Sequence, residues 1–270
     1  MAGGFLIDNL ANYLDYGSVV SAATHGTTIT ANASINTKGS YTQLVASTTY
    51  DVCGFWLLLG AAGTSGAAYS VDIAVGAGGS EQIIVADFVF QQAGTVLNSV
   101  YFPIGIPAGS RVAARCQSTT TVATINVSII GADGNFVQPH LGNCTTYGFN
   151  SATTLGTNID PGGSANTNGA YSQITASTTY DINAISLALD GQSTSTTGTM
   201  YVDIAVGGAG SEQVIIPNIA VLLGANKPSQ GSLGAFPVQI PAGSRIAIRA
   251  QCTNTTAGTR KIGATVYGIS

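Results

Sequence analysis

The chain has 270 residues, 45% of them hydrophobic and only 7% charged, with a net charge of −4. Disordered chains are charged and poor in apolar residues, so this composition excludes disorder. Lysine stands only at Lys38, Lys227 and Lys261, which leaves no basic patch for nucleic acid or an anionic membrane surface.

The first element in chain order is Phe5 to Tyr16. Phe5, Leu6, Leu10, Tyr13 and Leu14 fall near spacings of three and four, which predicts a short helix with one apolar face. Two roles fit it: packing on the first domain, or docking as an arm on a neighbouring subunit. The first basic residue is Lys38 and Asp8 interrupts the early apolar run, so no signal peptide is expected. The longest near-apolar stretch, Val52 to Gly63, has 12 residues. A membrane helix needs about 20.

From Thr27 onward the segments read as strands: Thr27 to Ile35, Tyr41 to Ser47, Val52 to Leu59, Ala68 to Val75, Glu81 to Phe90, Val96 to Ile104, Arg111 to Gln117 and Val122 to Ile130. Glycine-rich turns separate them. Eight short strands with no helix between them predict an antiparallel β-sandwich. Eight is also the strand count of a jelly roll. Strand order is not readable from one sequence, and an immunoglobulin-like sandwich fits the same spacing.

The second half repeats the first. Ala46 to Asp51 recurs as Ala176 to Asp181, Val71 to Gly76 as Val202 to Gly207, Gly79 to Gln82 as Gly210 to Gln213, and Ile106 to Arg111 as Ile240 to Arg245. The offsets are 130, 131, 131 and 134 residues. Order is kept and only loops differ, which is the signature of a tandem duplication. The fold class expected is all-β: two tandem, duplicated, jelly-roll-like sandwiches behind a short helical arm. The boundaries expected are 1–26 for the arm, 27–133 for the first sandwich, 134–146 for a linker and 147–270 for the second.

The repeated charges are informative because charge is scarce. Asp51, Asp72, Glu81, Arg111 and Arg115 match Asp181, Asp203, Glu212, Arg245 and Arg249. Asp72 alternates with Val71 and Ile73, so it occupies the non-core face of its strand, as Arg111 and Arg115 do on theirs. This predicts structural ion pairs of Asp72 with Arg111 or Arg115, and of Asp203 with Arg245 or Arg249. In Ile-Pro-Ala-Gly-Ser-Arg, Pro107 is expected at the first central position of a turn that Gly109 closes.

Catalytic and metal signatures are sparse. The two histidines, His25 and His140, have no cysteine at ligand spacing, and no G-x-S-x-G occurs. The glycine runs at Gly76 and Gly207 precede strands, whereas a phosphate loop precedes a helix. Asp72 and Glu81 are too few carboxylates for calcium. No catalytic residue, cofactor or metal is expected, and the chain is read as not an enzyme. Cys53, Cys116, Cys144 and Cys252 have no matching cysteine in the other copy and read as free thiols.

Phrases such as V-D-I-A-V-G, G-S-E-Q and P-x-x-I-P-A-G-S-R, at Val71 to Gly76, Gly79 to Gln82 and Pro103 to Arg111 and in their copies, resemble those of virion surface proteins of tailed bacteriophages. The resemblance covers about Thr27 to Ser270. It implies jelly-roll-like domains that decorate a capsid or form part of a head or tail fibre. It implies other virion proteins as partners, a homo-oligomer such as a trimer, and location on a virion assembled in the host cytoplasm. It brings no catalytic residues. The alternative function is a tail adhesin that reads a host glycan, which needs exposed aromatics. Trp56, in the apolar run Phe55 to Leu59, is expected in the core, whereas Tyr69 and Tyr201 are read as matching and exposed.

Overall fold

The computed structural model describes residues 13–18, 26–61, 67–91, 98–133, 142, 144–154, 156–191, 197–223 and 230–270. All regular elements among them are strands. In the first half these are β1 (Tyr13–Tyr16), β2 (Thr27–Thr30), β3 (Thr42–Val45), β4 (Val52–Ala61), β5 (Ala68–Val75), β6 (Gln82–Gln91), β7 (Asn98–Phe102), β8 (Val112–Ser118) and β9 (Thr124–Asp133). The second half has β10 (Cys144–Tyr147), β11 (Thr157–Ile159), β12 (Ser172–Thr175), β13 (Ile182–Gly191), β14 (Gly198–Val206), β15 (Gln213–Leu223), β16 (Gln230–Ile240), β17 (Ile246–Cys252) and β18 (Ile262–Ile269).

Four antiparallel sheets result. One has the order β1-β9-β4-β7, with β2 also on β9, and another the order β3-β8-β5-β6. The pairs β2–β9, β3–β8, β4–β7 and β5–β6 nest one inside the next, which is jelly-roll connectivity. The second half repeats the nesting in β10-β18-β13-β16, with β11 on β18, and in β12-β17-β14-β15. Strand order thus separates the jelly roll from an immunoglobulin-like sandwich.

Alternation builds each core. Phe55, Leu57 and Leu59 of β4, with Ile125, Val127 and Ile129 of β9, point inward and are fully buried. Val71 and Ile73 of β5, with Val112, Ala114 and Cys116 of β8, close the core from the facing sheet. Ile185, Leu187, Leu189, Val202, Ile204, Ile246 and Ile248 do the same in the second half.

The repeated phrases explain one another, because they clasp. Thr48 N–H donates to Ser110 O and Gly109 N–H to Thr48 O, both at 2.8 Å. Thr48 Oγ1 donates to Pro107 O at 2.7 Å, and Ala108 N–H donates to Asp51 Oδ1 at 2.7 Å. Thr178, Pro241, Ala242 and Asp181 repeat the arrangement. The turn register differs from the expected one. Ser110 N–H bonds to Pro107 O, so Pro107 is the first residue of the turn, and Ala108 and Gly109, with Gly109 at φ +78°, are its centre.

The N-terminal helical arm is a correction. Tyr13 and Leu14 lie in β1, paired with Ala132 and Gly131 of β9; Phe5, Leu6 and Leu10 lie outside the described residues. Over four residues the alternation of a strand and the spacing of a helix cannot be told apart, and the edge of β9 offers hydrogen bonds that decide for the strand. Nor is the element peculiar to the first half. Its counterpart is β10, with Tyr147 in the place of Tyr16 and the same pairing to the last strand of its sandwich. The strand expected from Val122 begins at Thr124, because Val122 sits at φ +46° in a turn.

The two halves share a buried interface. The outer face of the second half's β10-β18-β13-β16 sheet packs on the open side of the first sandwich, between edge strands β6 and β7. Tyr267 fills that opening, fully buried, with its ring 5.4 Å from Phe88 and 6.5 Å from Phe102. Its hydroxyl accepts from Val89 N–H at 2.8 Å and donates to Asp87 O at 3.2 Å. Thr146 Oγ1 donates to Ala86 O. Edge-strand groups that would otherwise template aggregation are thereby satisfied within the chain.

Candidate functional site: ion-pair frames and an aromatic sheet face

Asp72 and Arg115 are register partners on β5 and β8. Arg115 Nε lies 2.8 Å from Asp72 Oδ2, and the Asp72 carboxylate is only 2% exposed. The other oxygen, Oδ1, accepts from Lys38 Nζ at 2.7 Å and from Asp87 N–H at 2.9 Å. Lys38 also meets Asp87 Oδ1 at 2.9 Å and Ser70 Oγ at 2.8 Å. Asp87 holds φ +52° at an irregularity in β5–β6 pairing, which turns its N–H towards Asp72. The Arg115 guanidinium stands 4.6 Å from the centre of the Tyr41 ring. Burial works against the charge on Arg115, but the Asp72 hydrogen bond and the charges of Asp72, Tyr41 and Asp87 together outweigh it, so the proton is held more firmly than usual.

In the second half Arg249 Nε lies 2.9 Å from Asp203 Oδ2, and its guanidinium lies 4.7 Å from the Tyr171 ring centre. Asn218 N–H donates to Asp203 Oδ1 at 2.9 Å, again from φ +52°. The lysine–aspartate pair is gone: Asn168 stands at the place of Lys38, and Asn218 at the place of Asp87. Both charges are absent together, so the frame is balanced in each half.

Arg111 and Arg245 do not reach those aspartates. Arg111 Nη1 meets Glu81 Oε1 and Gly76 O, both at 3.1 Å, and its Nε donates to Gln43 Oε1. Arg245 repeats this with Glu212 and Gly207 at 3.0 Å, and with Gln173. The glycine hairpin is thus tied to the start of β8 or β17 by an arginine clamp. Glu81 and Glu212 titrate below the ordinary carboxylate range, held first by their own backbone N–H and then by the Gly79 or Gly210 N–H and the arginine. These carboxylates face guanidinium and ammonium groups. Among the described residues no group of three or more His, Cys, Asp or Glu side chains is placed to hold a metal ion. His25 and His140 lie outside the described residues.

Three aromatic side chains gather on the outer face of the β1-β9-β4-β7 sheet. Trp56 is not in the core: Phe55 and Leu57 point inward, so Trp56 points outward and is half-buried. Its ring lies 5.7 Å from Tyr13 and 4.7 Å from Tyr101, tilted by 59° and 48°. Tyr13 is 52% exposed. Leu58 and Ile130 continue the same face. An unbroken apolar run hides such a residue, because a strand alternates faces whatever its composition. Tyr69 and Tyr201 differ from expectation too. Register makes Ser70 the counterpart of Tyr201, and Tyr69 is fully buried with its hydroxyl on Thr124 O, while Tyr201 is exposed.

None of the four cysteines forms a disulfide. Burial pushes the Cys116 thiol up to about 12.

No family model matches the chain, and no curated protein does. Among solved structures, the tandem CBM22 domains from a Paenibacillus barcinonensis protein align over 97% of both chains at 11% identity, with a TM-score of 0.28. A chain of infectious bursal disease virus, Gx strain, aligns over 97% of this chain and 68% of its own at 12% identity, TM-score 0.23. The Gt strain gives 96%, 77%, 11% and 0.24. TM-scores of this size add nothing to what the strand order itself defines.

Proposed function

We propose that the chain is a non-enzymatic structural protein of a virion, a capsid decoration or fibre-type component that binds other virion proteins and copies of itself. The observation that supports this reading most is the pair of jelly rolls fused through a buried interface while an apolar aromatic sheet face is left towards solvent. An exposed apolar face of that kind marks an interaction surface. The arginine frames at Asp72, Asp203, Glu81 and Glu212 serve in this reading as braces that stiffen each sandwich. The phrases shared with virion surface proteins of tailed phages support the setting. The test is mass spectrometry of purified particles from the producing host, in which the chain is expected at a stoichiometric copy number. Its absence from the particles overturns the reading.

The Tyr13–Trp56–Tyr101 cluster also favours a second reading, a glycan-binding adhesin, since sugars stack on exposed aromatic rings. A glycan array decides between them. Specific binding lost in Trp56→Ala supports the adhesin, and an array without binding supports the structural role.

A further inference from the structure

The chain carries, within itself, one solved example of how its exposed sheet face is covered. The outer face of the second half's β10-β18-β13-β16 sheet is buried: Ala184, Ser186, Ala188, Tyr267 and Ile269 are at most 5% exposed. They lie against the first half's β6–β7 side, where Phe88, Val89, Phe90 and Phe102 are equally buried. Duplication supplies the matching surfaces once more, each partly open: Trp56, Leu58 and Ile130 are half-buried and Ala220 is exposed, whereas Gly54, Ala132, Ile219 and Val221 are buried. On the first half, Gly54, Trp56, Leu58, Ile130 and Ala132 occupy the positions of Ala184, Ser186, Ala188, Tyr267 and Ile269. On the second half, Ile219, Ala220 and Val221 of β15 occupy the positions of Phe88, Val89 and Phe90.

Exposure differs as this relation requires. Val89 is fully buried by the second half, but Ala220 is exposed, and so are Pro217 and Asn218 beside it. Leu222 is 66% and Tyr201 40% exposed on the same border. Side-chain size is reversed between the two interfaces. In the covered one, a bulky edge (Phe88, Val89, Phe90) meets a face of small residues (Ala184, Ser186, Ala188) around one large Tyr267. At the matching positions of the other pair, Tyr13, Trp56 and Tyr101 stand in place of the small Cys144, Ser186 and Ala235, Ile130 stands in place of Tyr267, and the edge is trimmed to Ile219, Ala220 and Val221. Large against small on both sides is what close packing demands.

We propose that a second copy of this chain covers the Tyr13–Trp56–Tyr101 face with its β15 border, Pro217 to Leu222, continuing head-to-tail the contact that joins the two halves. This deepens the self-association named under the structural role and rests on it. Such a contact is heterologous, so it closes into a ring if the rotation per chain permits, and grows into a filament if it does not.

The experiment is sedimentation or light scattering over a concentration series, on the full chain and two variants. Wild type is expected to rise above the 27.1 kDa of one chain. Trp56→Glu spoils the face and Leu222→Glu the border, and each alone is expected to remain at one chain's mass. An equimolar mixture of the two variants retains one intact face and one intact border, and is expected to stop at twice that mass. If Trp56→Glu fails to fold by circular dichroism, Tyr13→Glu replaces it at a more exposed position. A wild type that stays monomeric, oligomers that survive both variants, or a mixture that fails to dimerise each overturns the proposal. So does an oligosaccharide that quenches Trp56 fluorescence without any change in mass. A chain that is monomeric in solution yet present on purified particles overturns the self-contact and leaves the structural role standing.

Discussion

At the scale of residues, the two copies of the buried aspartate form an internal comparison. Asp72 is held by Arg115 and Lys38, whereas among the described residues Arg249 alone of the cations reaches Asp203. Removing one partner of a buried pair strands the other charge. Arg249→Ala is therefore expected to cost about 3 kcal/mol, the low end of the roughly 3–5 kcal/mol for breaking a buried pair, because the guanidinium is itself 29% exposed. Arg115→Ala is expected to cost about 1.5 kcal/mol, since Lys38 still neutralises Asp72. Urea midpoints in the reverse order would sink this account. Asn218→Asp puts a carboxylate beside Asp203 without the lysine that Asp87 enjoys. It is expected to destabilise by about 1 kcal/mol, and Asn168→Lys added to it should recover most of the loss. A strictly additive double variant would show that Asn168 and Asn218 do not form one unit. Lys38 and Asp87 are absent from the sequence reading of the site. The readable signal was their joint replacement by asparagine in the second copy.

Strands and hairpins bring in backbone geometry and titration. Gly156 opens β11 with φ +120°, and a Cβ there would stand 2.5 Å from Ala264 O of the paired strand. Gly243, in the Pro-Ala-Gly turn, has φ +82° but open space around the Cβ position. Gly156→Ala is expected to cost about 2–4 kcal/mol, from steric conflict added to an unfavourable φ. Gly243→Ala should cost about 1–2 kcal/mol, from φ alone. Thermal melts showing equal costs would refute the distinction. The arginine clamps make the hairpins acid-sensitive. Glu81 and Glu212 have lowered folded-state values, so their contribution to stability is complete above the ordinary 4.5 and is lost as pH falls through the lower folded value. The Glu81→Gln, Glu212→Gln double variant is expected to lose less stability than wild type as pH falls below 4.5. Parallel curves would show that other carboxylates govern acid unfolding.

For the whole molecule, the interface at Tyr267 couples the two sandwiches. Burial raises the Tyr267 hydroxyl well above the ordinary tyrosine value, so it stays protonated and can donate to Asp87 O across the normal pH range. Tyr267→Phe leaves Val89 N–H without its acceptor and should cost about 1–3 kcal/mol. Tyr267→Ala also empties the slot between Phe88 and Phe102. Calorimetry on wild type is expected to give one unfolding transition, and on Tyr267→Ala two, since domains joined by a weakened interface melt separately. A single transition in the alanine variant would mean that the coupling lies elsewhere.

Duplication, the all-β class and the approximate positions of eight strands, β2 to β9, were legible in the residues, because alternation and turn chemistry are local and two copies repeat them. The pairing of Asp72 with an arginine was legible as a pattern of faces. Which arginine it meets was not: Arg115 in β8 and Arg111 just before it lie four residues apart, and only the register of β8 against β5 sends Arg115 to Asp72 and leaves Arg111 for Glu81. Strand order, the β1 strand in place of a helix, and the outward turn of Trp56 were also decided by tertiary structure. Each depends on which backbone groups a distant strand offers, and on which face of a sheet already has a neighbour. Composition and periodicity carry no record of either.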